Sequence, residues 1–382
     1  MQNLPISTPE YCLLSLLLAS CASAADLQVQ GWGIASNGTQ VEKTCVSNET
    51  HMQVCYIDYG ATITSVTVPD RHGKMENIVL SLPDLPSYLK TRHRHAAIIG
   101  RYAGRIANAQ FNLNGKLVQL IPNQRGLAVH GDPYGFDKRV WQRRDFVDDQ
   151  SLGSVFHLIS PDGDQGMPGE LDVNITYRLL RASNEFRLEY SARSTAPTVI
   201  NLTNHAYFNL AGAGSSGLAS HLFQIASDRY AETDDKRVPT GNLLSVQDTA
   251  LDFRAPTGIN QRLGQAANEL GKPPGYDHSL VFSDWNGQLK LVAHITESQS
   301  GRSMQVSTTE PSVQFFSGNG FDGSEIGSEG EPYQRHDGFA FETQHLPDSP
   351  NHANFPTTLL NPGQVFHSVT SFRFSTLPAL KR

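Results

Sequence analysis

Residues 185–194 read EFRLEYSARS. Successive side chains of an extended strand point to opposite faces, so Phe186, Leu188 and Tyr190 share one side and Arg187 and Glu189 the other. The same period of two runs through 173–180 (VNITYRLL) and 364–375 (QVFHSVTSFRFS), which is the pattern of half-buried strands. Asn114-Gly115, Asp162-Gly163, Asn286-Gly287 and Asn361-Pro362-Gly363 mark sharp turns elsewhere in the chain. Only 261–270 carries a helical pattern. These features predict an all-β fold, a large antiparallel β-sandwich, with function on a concave sheet face and its surrounding loops.

Outward from these strands, the chain divides into two unequal parts. Residues 11–19, YCLLSLLLA, are apolar but too short to span a bilayer, and Ala22-Ser23-Ala24 follows as a cleavage pattern. Residues 1–24 are therefore read as a secretory signal, although 1–10 lack Lys and Arg. A second reading takes Leu18-Ala19-Ser20-Cys21 as a lipobox, which would anchor the protein by a lipid on Cys21. Soluble export, into a bacterial periplasm, is preferred because such a tetrad arises easily in an Ala- and Ser-rich cleavage region. No linker, repeat or low-complexity tract interrupts 25–382, which is read as a single domain.

The chain has 382 residues and a net charge of −7, with no basic stripe, which argues against nucleic acid as a partner. No second apolar span follows the signal. Of four cysteines, Cys45 and Cys55 lie beyond it and flank VSNETHMQV, a polar tip between two β-prone segments. A disulfide closing a hairpin and a pair of free buried thiols both fit that spacing.

Two segments carry candidate chemistry. In 201–210, NLTNHAYFNL, His205 stands among asparagines; in 338–356, GFAFETQHLPDSPNHANFP, Glu342 stands beside Phe341. One imidazole and one carboxylate are what a two-sided proton transfer requires. The plainer alternative for His205 is a buried histidine satisfied by Asn201 or Asn204. Segment 99–108, IGRYAGRIAN, holds Arg101 and Arg105, of which one would face a cleft or both would be surface charges. His130 precedes a glycine in 128–141, and Asp277 opens the apolar run of 275–282; taken alone, these are a turn residue and a turn cap. His345 and His352 lack the spacing and the third ligand of a zinc site, and no phosphate-cradling glycine loop occurs, so no cofactor is expected.

Together, 58–74, 99–108, 129–141, 162–169, 201–212, 274–282 and 341–356 resemble the aldose 1-epimerase (galactose mutarotase) family, in its order and approximate spacing. The resemblance implies a β-supersandwich and cofactor-free interconversion of the α and β anomers of hexoses such as glucose and galactose. It places an essential acid–base pair on His205 and Glu342, and sugar-binding groups on Arg105, His130 and Asp277. With ordinary pKa values of about 4.3 and about 6.5, Glu342 would be the ionised base and His205 the acid. The partner implied is a small aldohexose, and the protein a monomer or weak dimer. Two departures bear on substrate preference: Gly104 stands where Asn is usual, and Asp132 where a second glycine is usual. Three rivals stand beside this reading. They are a carbohydrate-binding module, a glycosidase using Asp277 and Glu342, and an epimerase of hexose 6-phosphates gripping phosphate with Arg92, His93, Arg94 and His95. For those four residues a solvated charged loop is the simpler expectation.

Overall fold

The alternation in 185–194 is realised as the strand Glu185–Ser194, with Phe186, Leu188, Tyr190 and Ala192 buried. In the computed structural model, which describes residues 25–263 and 274–378, this strand lies inside an eight-stranded sheet. Its order is Gln142–Val147, Ser151–Ser160, Leu171–Leu180, Glu185–Ser194, Phe366–Thr376, Arg302–Thr308, Lys290–Glu297 and His221–Ile225. A six-stranded sheet runs Tyr207–Phe208, Phe339–Gln344, Ser312–Phe316, Asp277–Val281, Arg229–Thr233 and Pro239–Ser245, and a five-stranded sheet covers the described N-terminal part up to Asn77. The ladders of all three sheets are antiparallel. The all-β sandwich read from the sequence is what forms.

One core joins the three sheets. Tyr56 and Ile63 from the five-stranded sheet meet Ile175, Tyr177 and Phe186 from the eight-stranded sheet, and the same cluster takes in Phe315, Phe339 and Phe341. A fully buried aromatic or branched side chain contributes roughly 1.5–3 kcal/mol, so these alternating positions fix register: a one-residue slip would turn them to solvent. That constraint positions the site. Because Phe315, Phe339 and Phe341 point into the core, Gln314, Phe316, Glu342 and Gln344 must leave the opposite face of the six-stranded sheet.

At Asn114-Gly115 both residues have positive φ, 52° and 82°, and join Gln110–Leu113 to Lys116–Gln119 as the primed turn such a hairpin favours. Helix is scarce. Asn260–Leu263 realises the start of the helical pattern, and the rest of it lies outside the described residues, as do 1–24 with Cys12 and Cys21. The helix Leu85–Lys90 is not foreseen in the sequence; Asp84 caps it by accepting from the Ser87 N–H at 2.9 Å. Among the described residues no helix is long and apolar enough to cross a membrane.

Cys45 and Cys55 are directly opposed on the hairpin Gln40–Ser47/Gln53–Ile57 and form a disulfide. Closing so short a loop restricts the unfolded chain by about 2–3 kcal/mol. Reduction is therefore expected to lower the unfolding free energy by about that amount in urea titrations. An unchanged midpoint in reductant would show that the bridge contributes nothing.

Candidate active site

An open pocket of about 170 Å³ lies on the polar face of the six-stranded sheet, lined among others by Arg94, Arg105, His130, His205, Asp277, Gln314 and Glu342. All five residues singled out in the sequence meet here. Two of them, Asp277 and Glu342, come from the sheet, with Gln314 on the strand between them. Gln314 lies opposite Glu342 on one neighbour and opposite Ser279 on the other, two residues along from Asp277. His205 follows the short strand Thr203–Asn204, and its backbone is pinned by bonds to Ala97 O at 3.0 Å and from Ala96 N at 2.9 Å. Arg105 comes from a two-stranded ladder in which it faces Val129, and His130 follows Val129 directly in the turn that leaves that ladder.

The centre is the pair His205–Glu342, with Nε2 3.5 Å from Oε1. His205 Nδ1 and Glu342 Oε2 are buried and have no hydrogen-bond partner among the described residues. Buried polar atoms are rarely left so except where a ligand or water completes them. Asn201 spends its amide on Ala103 O and His345 O, and Asn204 on Ala96 O and the Tyr177 hydroxyl. Neither asparagine bonds His205: Asn201 Oδ1 accepts from His345 N, and Asn204 Oδ1, like His205 Nδ1, has no partner among the described residues. His130 packs edge-on to His205 with ring centroids 5.7 Å apart. The Gly104 N–H donates to His130 Nδ1 at 3.2 Å, which leaves the proton of the neutral ring on Nε2.

Asp277 is held from three directions. Arg105 and Arg237 each reach Oδ2 at 3.2 Å, and the Gln314 amide donates to Oδ1 at 2.6 Å. Burial would push its carboxyl up, but the two guanidiniums and the amide outweigh it and hold it below the usual carboxylate range. Glu342 has no such partners. Burial, reinforced by the Asp277 charge, pushes its carboxyl up to about 8. Burial, reinforced by Arg94, brings the His205 imidazole down to about 3. Burial and Arg94 also carry His130 well below its ordinary value. The expectation of an ionised Glu342 opposite a protonated His205 is thus corrected for the free protein. The pair still carries one proton near neutrality, but the carboxyl holds it.

The two arginines of 99–108 divide cleanly. Arg105 faces the pocket, whereas Arg101 is fully buried and donates to the carbonyls of Ser160, Pro161, Pro168 and Gly169. Segment 162–169 is therefore a receptor for a structural guanidinium. His345 bonds Glu310 Oε2 at 2.6 Å and His352 lies 3.3 Å from Asp348, so the two histidines hold separate carboxylates. Among the described residues, two groups gather metal-ligating atoms within 4.8 Å: His130 with His205 and Glu342, and His93 with His95 and Glu325. In the first, the Gly104 contact turns the lone pair of His130 away. In the second, both histidines converge on one oxygen of Glu325, at 2.9 and 2.8 Å, as a hydrogen-bonded clamp.

Gln314, Arg237 and the part played by Arg94 are not foreseen in the sequence. Arg94 and His93 line the pocket and His95 is fully buried, so the solvated charged loop expected at 92–95 is only partly so: Arg92 alone of the four is exposed. The departures also find their places. Asp132 pairs with Arg94 and with Lys138. Gly104 has φ 85°, and a Cβ there would meet Pro347 at 2.9 Å, so this part of the wall is bare backbone.

A family model described as aldose 1-epimerase matches residues 42–373. The chain belongs to that family. An aldose 1-epimerase relative, the galactose mutarotase of Rattus norvegicus, is 38% identical over 342 residues, covering 90% of this chain and 96% of its own. The aldose 1-epimerase of Escherichia coli K12 is 37% identical over 343 residues, covering 89% and 97%. The solved galactose 1-epimerase of Lactobacillus acidophilus superimposes with a TM-score of 0.79 at 26% identity, covering 92% of this chain and 99% of that one. Membership of the aldose 1-epimerases thus extends over nearly the whole described fold.

Proposed function

We propose that this chain interconverts the α and β anomers of free aldohexoses, with His205 and Glu342 as its proton-transfer pair. One observation carries the reading. Two buried titratable groups 3.5 Å apart each keep a polar atom unpaired, in a pocket whose other walls present hydroxyl-binding groups. Anomerisation opens the hemiacetal: a base takes the C1 hydroxyl proton while an acid protonates the ring oxygen. The aldehyde then turns about C1–C2 and closes on its other face, and both protons return. Glu342 is the base and His205 the acid. A sugar hydroxyl donating to Glu342 favours its carboxylate, so substrate itself draws the shared proton toward the imidazole. His130, with its proton on Nε2, steadies charge at the reacting oxygens, and Arg105, Asp277 and Gln314 hold hydroxyls so that the open chain stays in place.

Asp277 suits a binding role better than that of a glycosidase carboxylate, because both its oxygens are already committed. The disulfide supports the reading of 1–24 as an export signal, since such bonds persist in oxidising compartments. We keep soluble export ahead of a lipid anchor at Cys21, and a monomer or weak dimer as the working state.

The test is polarimetry on freshly dissolved α-D-glucose and α-D-galactose, expected to reach the same final rotation faster than a buffer blank. A folded protein that binds sugar without acceleration would turn the reading to a binding module. The pH profile adds a sharper check. Ordinary pKa values would confine the one-proton pair to between about 4.3 and about 6.5. Burial widens that window, from about 3 for His205 to about 8 for Glu342. The blank-corrected kcat/KM, which reports the free enzyme, is expected to stay level through neutrality and fall only above about pH 8. A fall beginning near pH 6.5 would show the ordinary values instead.

A further inference from the structure

The two histidines of 92–95 take no part in the mechanism above, yet they converge on a point of their own. His93 Nδ1 lies 2.9 Å and His95 Nε2 2.8 Å from one oxygen of Glu325, and the Thr91 hydroxyl donates to the other oxygen at 2.5 Å. Arg94, between the two histidines, has φ 52°, a left-handed conformation uncommon for a residue with a side chain, and its guanidinium leaves toward Asp132. The His95 ring is fully buried, stacked on Phe321 and packed against Tyr207 and Tyr333. His93 packs edge-on to Phe321, and its side chain is 24% exposed.

His95 has an acceptor at each ring nitrogen. Its Nδ1 lies 3.3 Å from the carbonyl oxygen of Leu80, and its Nε2 faces the carboxylate. A neutral imidazole carries one N–H. Hydrogen bonds alone therefore satisfy both contacts only with a buried imidazolium, and His93 has to donate to the same carboxylate oxygen. A metal ion satisfies them with both rings neutral. The Nδ1–H of His95 then donates to Leu80, as the second nitrogen of a metal-bound histidine ordinarily does to a carbonyl or carboxylate, and Nε2 turns its lone pair to the ion. The ligand atoms of His93, His95 and Glu325 lie within 4.8 Å of one another. Tetrahedral bonds of about 2.0–2.2 Å separate ligand atoms by roughly 3.4 Å, so the clamp has to open by about half an ångström. His93, on the exposed side, has the room to move, and that side is also the entry path.

We propose that His93, His95 and Glu325 bind a divalent transition metal of the zinc type, with water completing its coordination. Two imidazoles and one carboxylate suit zinc and its neighbours, whereas calcium and magnesium call for oxygen donors. The role is structural: the ion ties segment 91–95, whose His93 and Arg94 line the pocket, to the distant loop that carries Glu325. His205 and Glu342 are not its ligands, and the anomerisation reading does not depend on it.

The experiment strips untagged protein with EDTA, titrates it with zinc chloride near neutral pH by calorimetry, and measures the metal retained after dialysis. About one ion per chain is expected to be retained, and the melting temperature to rise with zinc concentration and fall back with EDTA. His93→Gln and Glu325→Gln should each weaken binding by about tenfold or more and remove the zinc-dependent rise. His93 is partly exposed, so its variant keeps the test valid if Glu325→Gln fails to fold. His205→Asn should retain zinc as the wild type does, and excess calcium or magnesium should leave the zinc in place. Zinc lost from His205→Asn but kept by His93→Gln would put the ion on the acid–base pair and overturn the proposal. No zinc retained, equal retention by every variant, or displacement by calcium would overturn it as well. Each of these outcomes leaves the anomerisation reading to its own test by polarimetry.

Discussion

Replacing Glu342 by Gln is expected to lower kcat by about 10²–10⁴ while sugar binding and fold persist. The amide keeps the shape and hydrogen-bonding reach of the carboxyl but cannot accept a proton from the C1 hydroxyl. The strand Phe339–Gln344 is held by Phe339 and Phe341 in the core and by its ladder with Ser312–Phe316, none of which the substitution touches. The same variant should alter stability in a direction set by burial. Glu342 is raised from 4.5 in the unfolded chain to about 8 when folded, so its contribution is fully present below about pH 4.5 and lost as pH rises through about 8. The Gln variant has no such loss, and its melting temperature should gain on the wild type between pH 6 and pH 9. A variant that keeps kcat within a few-fold of the wild type would remove Glu342 from the chemistry.

The sequence made the strands legible because a half-buried strand writes its own period. In 185–194 the residues expected on one side, Phe186, Leu188 and Tyr190, are the ones the core takes. Glu342 was readable for a related reason: a carboxylate between Phe341 and a polar loop is costly to bury without a purpose. The helix Leu85–Lys90 is too short to show a period of 3.6, and only Asp84, with Pro86 two residues later, hinted at a start. Gln314 stands in a run, SVQFF, whose apolar neighbours read as core; a lone amide in a buried strand was the signal available. Arg237 reaches Asp277 from a loop 40 residues earlier in the chain, a closure that no local pattern records.

The charge states were the least legible part. Reference pKa values gave an ionised carboxylate and a protonated imidazole, and burial of both reversed where their shared proton rests. Either set of values gives the pair a pH range in which it holds one proton, and burial widens that range through neutrality, so the assignment of an acid–base pair survives a reversal of its resting form. The choice between Arg101 and Arg105 was also beyond the sequence. Both stand in one glycine-punctuated segment, and only the receptor formed by 160–169 takes the first out of the pocket.

His205→Asn is expected to cost a similar 10²–10⁴ in kcat, and its combination with Glu342→Gln should cost scarcely more than the worse single change. Groups that work as one unit fail together, so their losses do not add. The backbone bonds of His205 to Ala96 and Ala97 remain in the Asn variant, so binding of sugar should be retained and lost turnover would be chemical rather than structural. Its stability should move at the opposite end of the pH scale from that of the Glu342 variant. The imidazole is lowered from 6.5 to about 3 by burial, so its contribution is present above about pH 6.5 and lost as pH falls through about 3. Asparagine removes that loss, and the variant should resist acid better than the wild type. Each member of the pair thus burdens the fold where its charged form is demanded, one toward alkali and one toward acid. Full additivity of the two kinetic losses would show that His205 and Glu342 act on separate steps, and the single-pair mechanism would then fail.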